Sequence, residues 1–285
     1  MSLAEYAARE GLHKVGGRPP ILAYLIDVWH RRSFIYSLAR FRIEADNGRN
    51  RLGMGWVVLK PLLNAAVYGT IFGILMGPRS RPDQFILFLV IGVFFFEYFS
   101  SCFTSGAKSI TKNASLVQSL SFPRMSLPLA LVTQRLLEFA PMIVIMTGLV
   151  LAFGNMPQWE WLLLIPLVAL FTVFNAGLTL ITARLTVHFR DLTQLLPFVS
   201  RFFFYTSGVF FSVERRFGKN ETIMQIADLQ PIHEFMDLAR SIMLNGPDYV
   251  IDSRYWAYSA AWAFAALIIG TVYFWAAEER YGRDD

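Results

Sequence analysis

His188 and Asp191 stand three residues apart in the segment HFRDL, with the residue types an acid–base pair needs. Read as chemistry, they would pass a proton. Read as structure, they are charges in a turn at the end of an apolar segment, and this reading is favoured because no second catalytic constellation faces the same side. The remaining histidines, His13, His30 and His233, lie far apart, and Cys102 is the single cysteine, so neither zinc-ligand spacing nor a disulfide framework is present. GLHKVGGR has glycines but lacks the Gly-Lys-Ser/Thr ending that cradles nucleotide phosphates. No catalytic residue, metal ligand or cofactor is assigned to this chain.

Five ionisable residues carry a rarer signal: Lys60, Glu97, Arg135, Glu138 and Arg201 all fall within or at the ends of long apolar runs. Charge in a membrane-spanning segment usually turns toward a bundle interior or an aqueous path. Arg135 and Glu138 are three residues apart and share a helix face, so they are expected to pair. Lys60 sits four residues into its run, where its long stem snorkels back to the headgroups. Pro61 falls in the first turns, where a missing N–H costs least.

The chain that carries these residues reads as lipid-embedded. Of its 285 residues, 55% are hydrophobic and 16% charged, against about 45–50% and about 25% in soluble domains. It holds 26 Phe, 11 Tyr and 7 Trp, residues favoured in membranes and at their interfaces. A helix crossing the hydrocarbon layer needs about 20 apolar residues. Six stretches qualify: 56–77, 84–105, 127–153, 161–185, 194–213 and 255–277, the fifth interrupted by Pro197, Arg201 and Gly208. The fold class is therefore all-α with six membrane spans. With the N-terminus inside, the cytoplasmic connections hold sixteen Lys and Arg and the external ones seven, which places both termini in the cytoplasm. The net charge of +5 thus reflects topology and not nucleic-acid binding. The first twenty residues lack the apolar core of a secretory leader, so insertion is expected through the internal spans.

Residues 1–55 form a cytoplasmic segment, 56–277 the membrane domain and 278–285 a short tail. Within the first, Ile21, Leu22, Leu25, Val28 and Trp29 recur at helical spacing opposite Asp27, His30 and Arg31, the pattern of an amphipathic helix lying in the interface over 20–38. Before the last span, Pro231–Leu244 is again periodic and the shorter ETIMQIADL half apolar. Two short helices dipping back into the outer face are expected. Aromatic clusters at Phe94–Phe103 and Arg201–Phe211 allow two readings. Their rings pack against lipid and neighbouring helices, or Phe95, Tyr98, Phe99, Phe203 and Tyr205 line a pore on which sugar rings stack.

Several stretches resemble ABC-2 type permeases. RLGMGWVVLKPLLNAAVYGTIFGILMG is similar to the family's first span, NASLVQSLSFPRMSLPLALV to the stretch between spans two and three, HFRDLTQLLPFVSRFFFYTSGVFF to its Phe-Arg-Asp-Leu element, and QPIHEFMDLARSIML to the segment before the last span. The nearest pattern is that of permeases exporting O-antigen, capsule and teichoic acid. Gln230 and Gly208 depart from the usual Asn and Pro but preserve the helix-breaking logic.

The resemblance implies a homodimer in a bacterial inner membrane, joined to two copies of a separate ATPase that holds ATP and magnesium. It implies export of a lipid-linked polysaccharide such as an O-antigen, a teichoic acid or a cell-wall galactan. It further implies cytoplasmic coupling helices that dock on the ATPase: by position, Ile110–Leu120, with Thr111, Asn113, Leu116, Val117 and Gln118, and Phe189–Thr193, with Arg190, Asp191 and Leu192. The interfacial helix would touch the ATPase as well. A permease for drugs or small lipids is the rival within transport, and a membrane glycosyl- or acyltransferase built on HFRDL the rival outside it. The purified chain is expected to bind no ATP by itself. Saturable binding of a fluorescent ATP analogue to the lone chain would contradict this division of labour.

Overall fold

The computed structural model describes residues 19–48, 51–77, 81–119 and 122–278. The described residues are helical, with turns between helices and no strand among them. Two N-terminal helices, α1 (Ile21–His30) and α2 (Arg32–Asn47), precede α3 (Gly55–Leu75) and α4 (Phe85–Gly106). A 3-10 turn (Thr111–Asn113) and α5 (Ala114–Ser119) lead to α6 (Ser126–Ala152). Then come a 3-10 segment (Trp159–Leu163), α7 (Leu164–His188) and α8 (Leu192–Thr206). Three short helices, α9 (Val213–Phe217), α10 (Glu221–Asp228) and α11 (Pro231–Met243), lie before the final α12 (Ser253–Trp275).

Among the described residues, five helices are long and apolar enough to cross a membrane: α3, α4, α6, α7 with its 3-10 start, and α12. The stretch expected as the fifth of six spans ends early. Its helix, α8, has 15 residues and reaches about 22 Å at ~1.5 Å per residue, short of the roughly 30 Å hydrocarbon layer. After Thr206 the chain turns at Gly208, whose φ of 75° is left-handed and suits a residue without Cβ.

That turn leaves carbonyls inside the apolar core, where each needs a donor. Arg240 of α11 supplies them. Its Nη2 donates to the Gly208 and Val209 oxygens at 3.1 and 3.2 Å, and its Nε donates to Phe88 O at 3.3 Å. The guanidinium also lies 3.4 Å from the Phe88 ring centroid, a cation–π contact strengthened by desolvation. A Cβ at Gly92 would fall 2.5 Å from Arg240 Nη2, so α4 carries glycine where the arginine crosses it.

The periodic segment Pro231–Leu244 forms α11 with proline at its start, as its pattern requires. It does not rest on a surface. Ile232, His233, Glu234, Phe235, Met236, Leu238, Ala239, Arg240 and Ile242 are all buried, and α11 packs on α4, α7 and α12. ETIMQIADL forms α10, capped by the Asn220 side chain accepting from Ile223 N. The N-terminal helix expected over 20–38 is two helices that meet at a break at Arg31 and continue to Asn47. Tyr24 and Val28 on α1 and Ala39 and Ile43 on α2 are buried, while Leu22, Ile26 and Trp29 stay exposed.

The most buried span is α4, around which α3, α6, α7, α8 and α11 gather. Small residues set the closest packing, as they do where helices approach without a hydrophobic drive from water. The tightest pair is α7 with α12, where a Cβ on Gly177 would lie 2.2 Å from the Ala266 carbonyl carbon and one on Gly270 would lie 2.3 Å from Gly177 O.

Polar ties close both ends of the bundle. At one end, Asn155 Nδ2 donates to Gln84 Oε1 at 2.7 Å, Gln84 Nε2 donates to Asn245 O at 2.7 Å, and Asn245 N donates to Asn155 Oδ1 at 2.9 Å. These bonds hold Gln84 at a φ of 50°, rare for a residue with Cβ. Arg215 pairs beside them with Asp83 and Asp248. At the other end, Tyr24 OH donates to Glu278 Oε2 at 2.7 Å and Arg124 N donates to Glu278 Oε1 at 3.0 Å. Trp275 Nε1 donates to Pro19 O at 2.9 Å.

Replacing Gly177 or Gly270 with Leu is expected to force α7 and α12 apart, at a cost above the ~1–3 kcal/mol of ordinary overpacking. Gly148→Ala, which adds a methyl to open space, should stay within about 0.5 kcal/mol. Thermal unfolding of the detergent-solubilised variants separates the two; equal melting points would refute the close approach.

Candidate functional site

Four of the five ionisable residues expected in apolar runs converge. Lys60, Glu97, Arg135 and Glu138 line one cavity of about 250 Å³ with Asp46, Trp56, Pro61, Tyr98 and Ser101. Four elements deliver them: the end of α2 brings Asp46, the second turn of α3 Lys60 and Pro61, the middle of α4 Glu97, and α6 Arg135 and Glu138. Arg135 Nη1 donates to Glu138 Oε2 at 2.5 Å, the pair their spacing predicted. Gln134 Nε2 bridges two carboxylates, at 3.1 Å from Glu138 Oε1 and 3.1 Å from Asp46 Oδ2. The N-terminal helices are thereby bonded to the interior of the membrane domain. Glu97 Oε1 accepts from Ser101 Oγ at 3.3 Å, and Lys60 has no hydrogen bond or ion pair among the described residues. Arg201 lies elsewhere, exposed on α8 in a neighbouring groove.

The expected coupling residues lie at connections between helices. Thr111 and Asn113 occupy the 3-10 turn, whose backbone is fastened by Thr111 Oγ1 donating to Lys108 O at 3.3 Å and Asn113 Nδ2 donating to Ser109 O at 2.7 Å. Leu116, Val117 and Gln118 are on α5: Val117 is buried, Leu116 half-buried and Gln118 exposed. Val117 packs in a cluster with Tyr24, Val28, Ile110, Leu127, Ala183 and Phe274, so α5 and α1 share one apolar seat. Leu120 lies outside the described residues. Arg190 and Asp191 are exposed in the turn between α7 and α8, with Leu192 partly covered. Asp191 precedes α8 without a side-chain capping bond.

The five aromatics expected at a pore fall into two groups in the fold. Phe95, Tyr98 and Phe99 are buried inside the chain. Tyr98 stacks on Phe139 with centroids 4.8 Å apart, and Phe95 meets the same ring edge-on at 5.2 Å. Tyr98 OH donates to Thr172 Oγ1 at 3.0 Å. Phe95 and Tyr98 pack against rings of α6 and α7, Tyr98 also lining the cavity of Lys60 and Glu138, while Phe99 packs toward Phe203 of α8. Phe203 is half-buried against Phe99, while Tyr205 is exposed on the outer side of α8 with Phe198 and Phe202.

Arg240 and Glu278 emerged only from the fold. Arg240 does carry a sequence signal, because it shares the apolar stripe of Met236 and Met243 at helical spacing. Its position before the last span reads as external loop charge, yet it is 1% exposed. Glu278 had no signal beyond its place after the last span. Burial pushes its carboxyl above the ordinary range, while the bonds from Arg124 and Tyr24 pull it back.

Residues 36–244 match the family described as ABC-2 type transporter. The chain is 27% identical over 223 residues to an O-antigen export system permease protein RfbA of Klebsiella pneumoniae, covering 78% of this chain and 83% of that protein. It is 26% identical over 216 residues to the O-antigen export system permease protein RfbA of Myxococcus xanthus, covering 76% and 82%. A second Klebsiella pneumoniae protein of that name is 29% identical over 196 residues, covering 68% and 74%.

Glu138→Ala removes the acceptor shared by Arg135 and Gln134, and is expected to destabilise the bundle by about 1–3 kcal/mol. Glu138→Gln should cost less, since one oxygen still accepts. Melting temperatures in detergent check this, and an unchanged value for the alanine variant would mean that the network is not satisfied through Glu138.

Proposed function

The chain belongs to the ABC-2 type transporter family, and we propose that it is the membrane-spanning permease of an exporter for a lipid-linked polysaccharide. Proteins of this family are transporter components and not enzymes. Similarity to O-antigen export permeases, covering more than four-fifths of two of them, carries the reading of substrate. Teichoic acids and cell-wall galactans belong to the same chemical class. ATP and magnesium are assigned to a separate ATPase present in two copies.

Several features support a six-crossing arrangement with both ends in the cytoplasm of a bacterial inner membrane. Contacts from Tyr24 and Pro19 to Glu278 and Trp275 tie the chain ahead of α3 to the chain after α12, as an even number of crossings requires. Five long helices therefore call for a sixth crossing, which α8 and the turn at 207–212 supply. Residues 1–55 are then the cytoplasmic segment, 56–277 the membrane domain and 278–285 the tail, with α9 to α11 re-entering from the outer side. Leu63, Val67, Ile71 and Ile74 leave one stripe of α3 exposed, a face fit for lipid and for a second copy.

The export path runs between two copies. Phe198, Phe202 and Tyr205 recur at helical spacing on the open side of α8 and give flat rings on which sugars stack and slide. Closure of the ATPases would reach the bundle through α5 and the 189–193 turn, whose seats are shared with α1 and α8. The exposed residues Thr111, Gln118, Arg190 and Asp191 are the contact points.

Scrambling 110–119 in cells that carry the export system is expected to abolish surface polysaccharide while membrane insertion and ATPase activity persist. Surface glycan measured by immunoblot, beside ATP hydrolysis by the purified assembly, tests this. Normal export with the scrambled segment would overturn the coupling assignment.

A further inference from the structure

Glu234, at the end of the first turn of α11, is 0% exposed, and neither of its side-chain oxygens has a hydrogen-bond partner among the described residues. No ion pair there includes it. From α12 it is faced by Ser259, a fully buried hydroxyl that also lacks a partner. One turn earlier on α12, Tyr255 OH donates to Asp228 Oδ1 of α10 at 2.7 Å. Asp228 is the charge closest to Glu234, and it is a second acid.

The other neighbours bring no compensating cation. On α11 itself, His233 is buried, with Nδ1 donating to Ser207 O at 3.2 Å and Nε2 unpartnered. Asp237 follows on that helix, and Arg240 is spent on the carbonyls of Gly208, Val209 and Phe88. From α9, Glu214 adds negative charge beside Asp228 and Asp237. Against α11, α4 and α7 set the rings of Phe88, Phe171 and Phe174, and Glu160 of the adjoining 3-10 segment is exposed. A carboxylate taken out of water beside like charge, with no donor, is costly ionised and tolerable neutral. A metal ion would neutralise it too, but no three carboxylate, histidine or cysteine side chains converge to hold one among the described residues.

The element that yields most easily is α10. It packs on α9 and α11, buries only Ala227, and leaves Ile226 and Leu229 exposed. Helices with so little buried surface open first. Its tie to α12 is the bond from Tyr255 to Asp228, beside which any charge on Glu234 must appear.

We propose that Glu234 is a proton-operated latch: it holds a proton while α10 is seated, and gives it up to water at the outer end when α10 swings away from α12. The device depends on contacts within the chain and on no reading of what is exported. The seated form binds a proton that the opened, hydrated carboxyl has lost. Opening therefore grows about tenfold per pH unit from the ordinary carboxyl range near about 4.3 up to the range of buried acids, about 8–9. His233 acts with the opposite sign, because a buried neutral imidazole charges as pH falls.

The test follows hydrogen exchange over residues 221–236 in the full-length chain in nanodiscs, comparing wild type with Glu234→Gln at equal pH so that intrinsic exchange cancels. The ratio of wild-type to variant exchange is expected to rise tenfold or more from pH 6 to pH 8, while α4 shows no such rise. A ratio independent of pH, with the variant folded by size exclusion, would overturn the latch. A ratio that rises as pH falls would also overturn it, in favour of His233. Infrared difference spectra of the wild-type chain keep the proposal exposed even if the variant does not fold. A protonated-carboxyl C=O band should disappear between pH 6 and pH 10, and a spectrum without a titrating band sinks the idea.

Discussion

Within an apolar core, no backbone carbonyl can be left without a donor, and the bundle meets that demand at one point with one side chain. Arg240 reaches from α11 to the oxygens of Gly208, Val209 and Phe88. Because it does so, α8 can stop after 15 residues and the chain can reverse among apolar neighbours. The short α8 leaves the groove beside α3 open, and the reversal brings α11 inward to pack on α4. A lysine there would offer a point charge in place of three directed donors, so the residue type follows from the geometry of the carbonyls.

The same economy governs the polar interior. Glu97 faces the Arg135–Glu138 network on one side and the groove of Arg201 on the other. It is the one acidic residue that α4 carries into a span otherwise filled by Phe, Val, Ile and Leu. Through Gln134 and Asp46, the network extends to α2 and hence to the N-terminal helices. A displacement of those helices is therefore felt at the middle of α6 without any loop as intermediary, a contiguous physical linkage between the aqueous end and the membrane interior.

Much of this architecture was legible because membrane physics writes strongly in sequence. The five long spans follow the apolar runs within a few residues, and the Arg135–Glu138 pair follows from helical spacing. Pro231 at the start of a periodic stretch located α11. What composition does not encode is which neighbour a residue meets. Phe95, Tyr98 and Phe99 are chemically fit for a pore, but within the chain the first two meet rings of α6 and α7 and the third a ring of α8. The end of α8 was hidden because Phe210 and Phe211 continue the apolar run past the turn, and hydropathy does not register a change of backbone hand. Arg240 looked like loop charge until the carbonyls it serves were in place. Nothing in the local sequence of Glu278 announces its partners, which lie 154 and 254 residues away.

That separation has a consequence for biosynthesis. The seat of α1 is finished by Trp275 and Glu278, which are synthesised more than 250 residues after it, so the N-terminal helices wait through the making of every long helix for these contacts. Any prematurely terminated chain keeps them adrift. An assembly partner that recognised the seated form would thereby distinguish a chain that carries α12 from one that stops short of it.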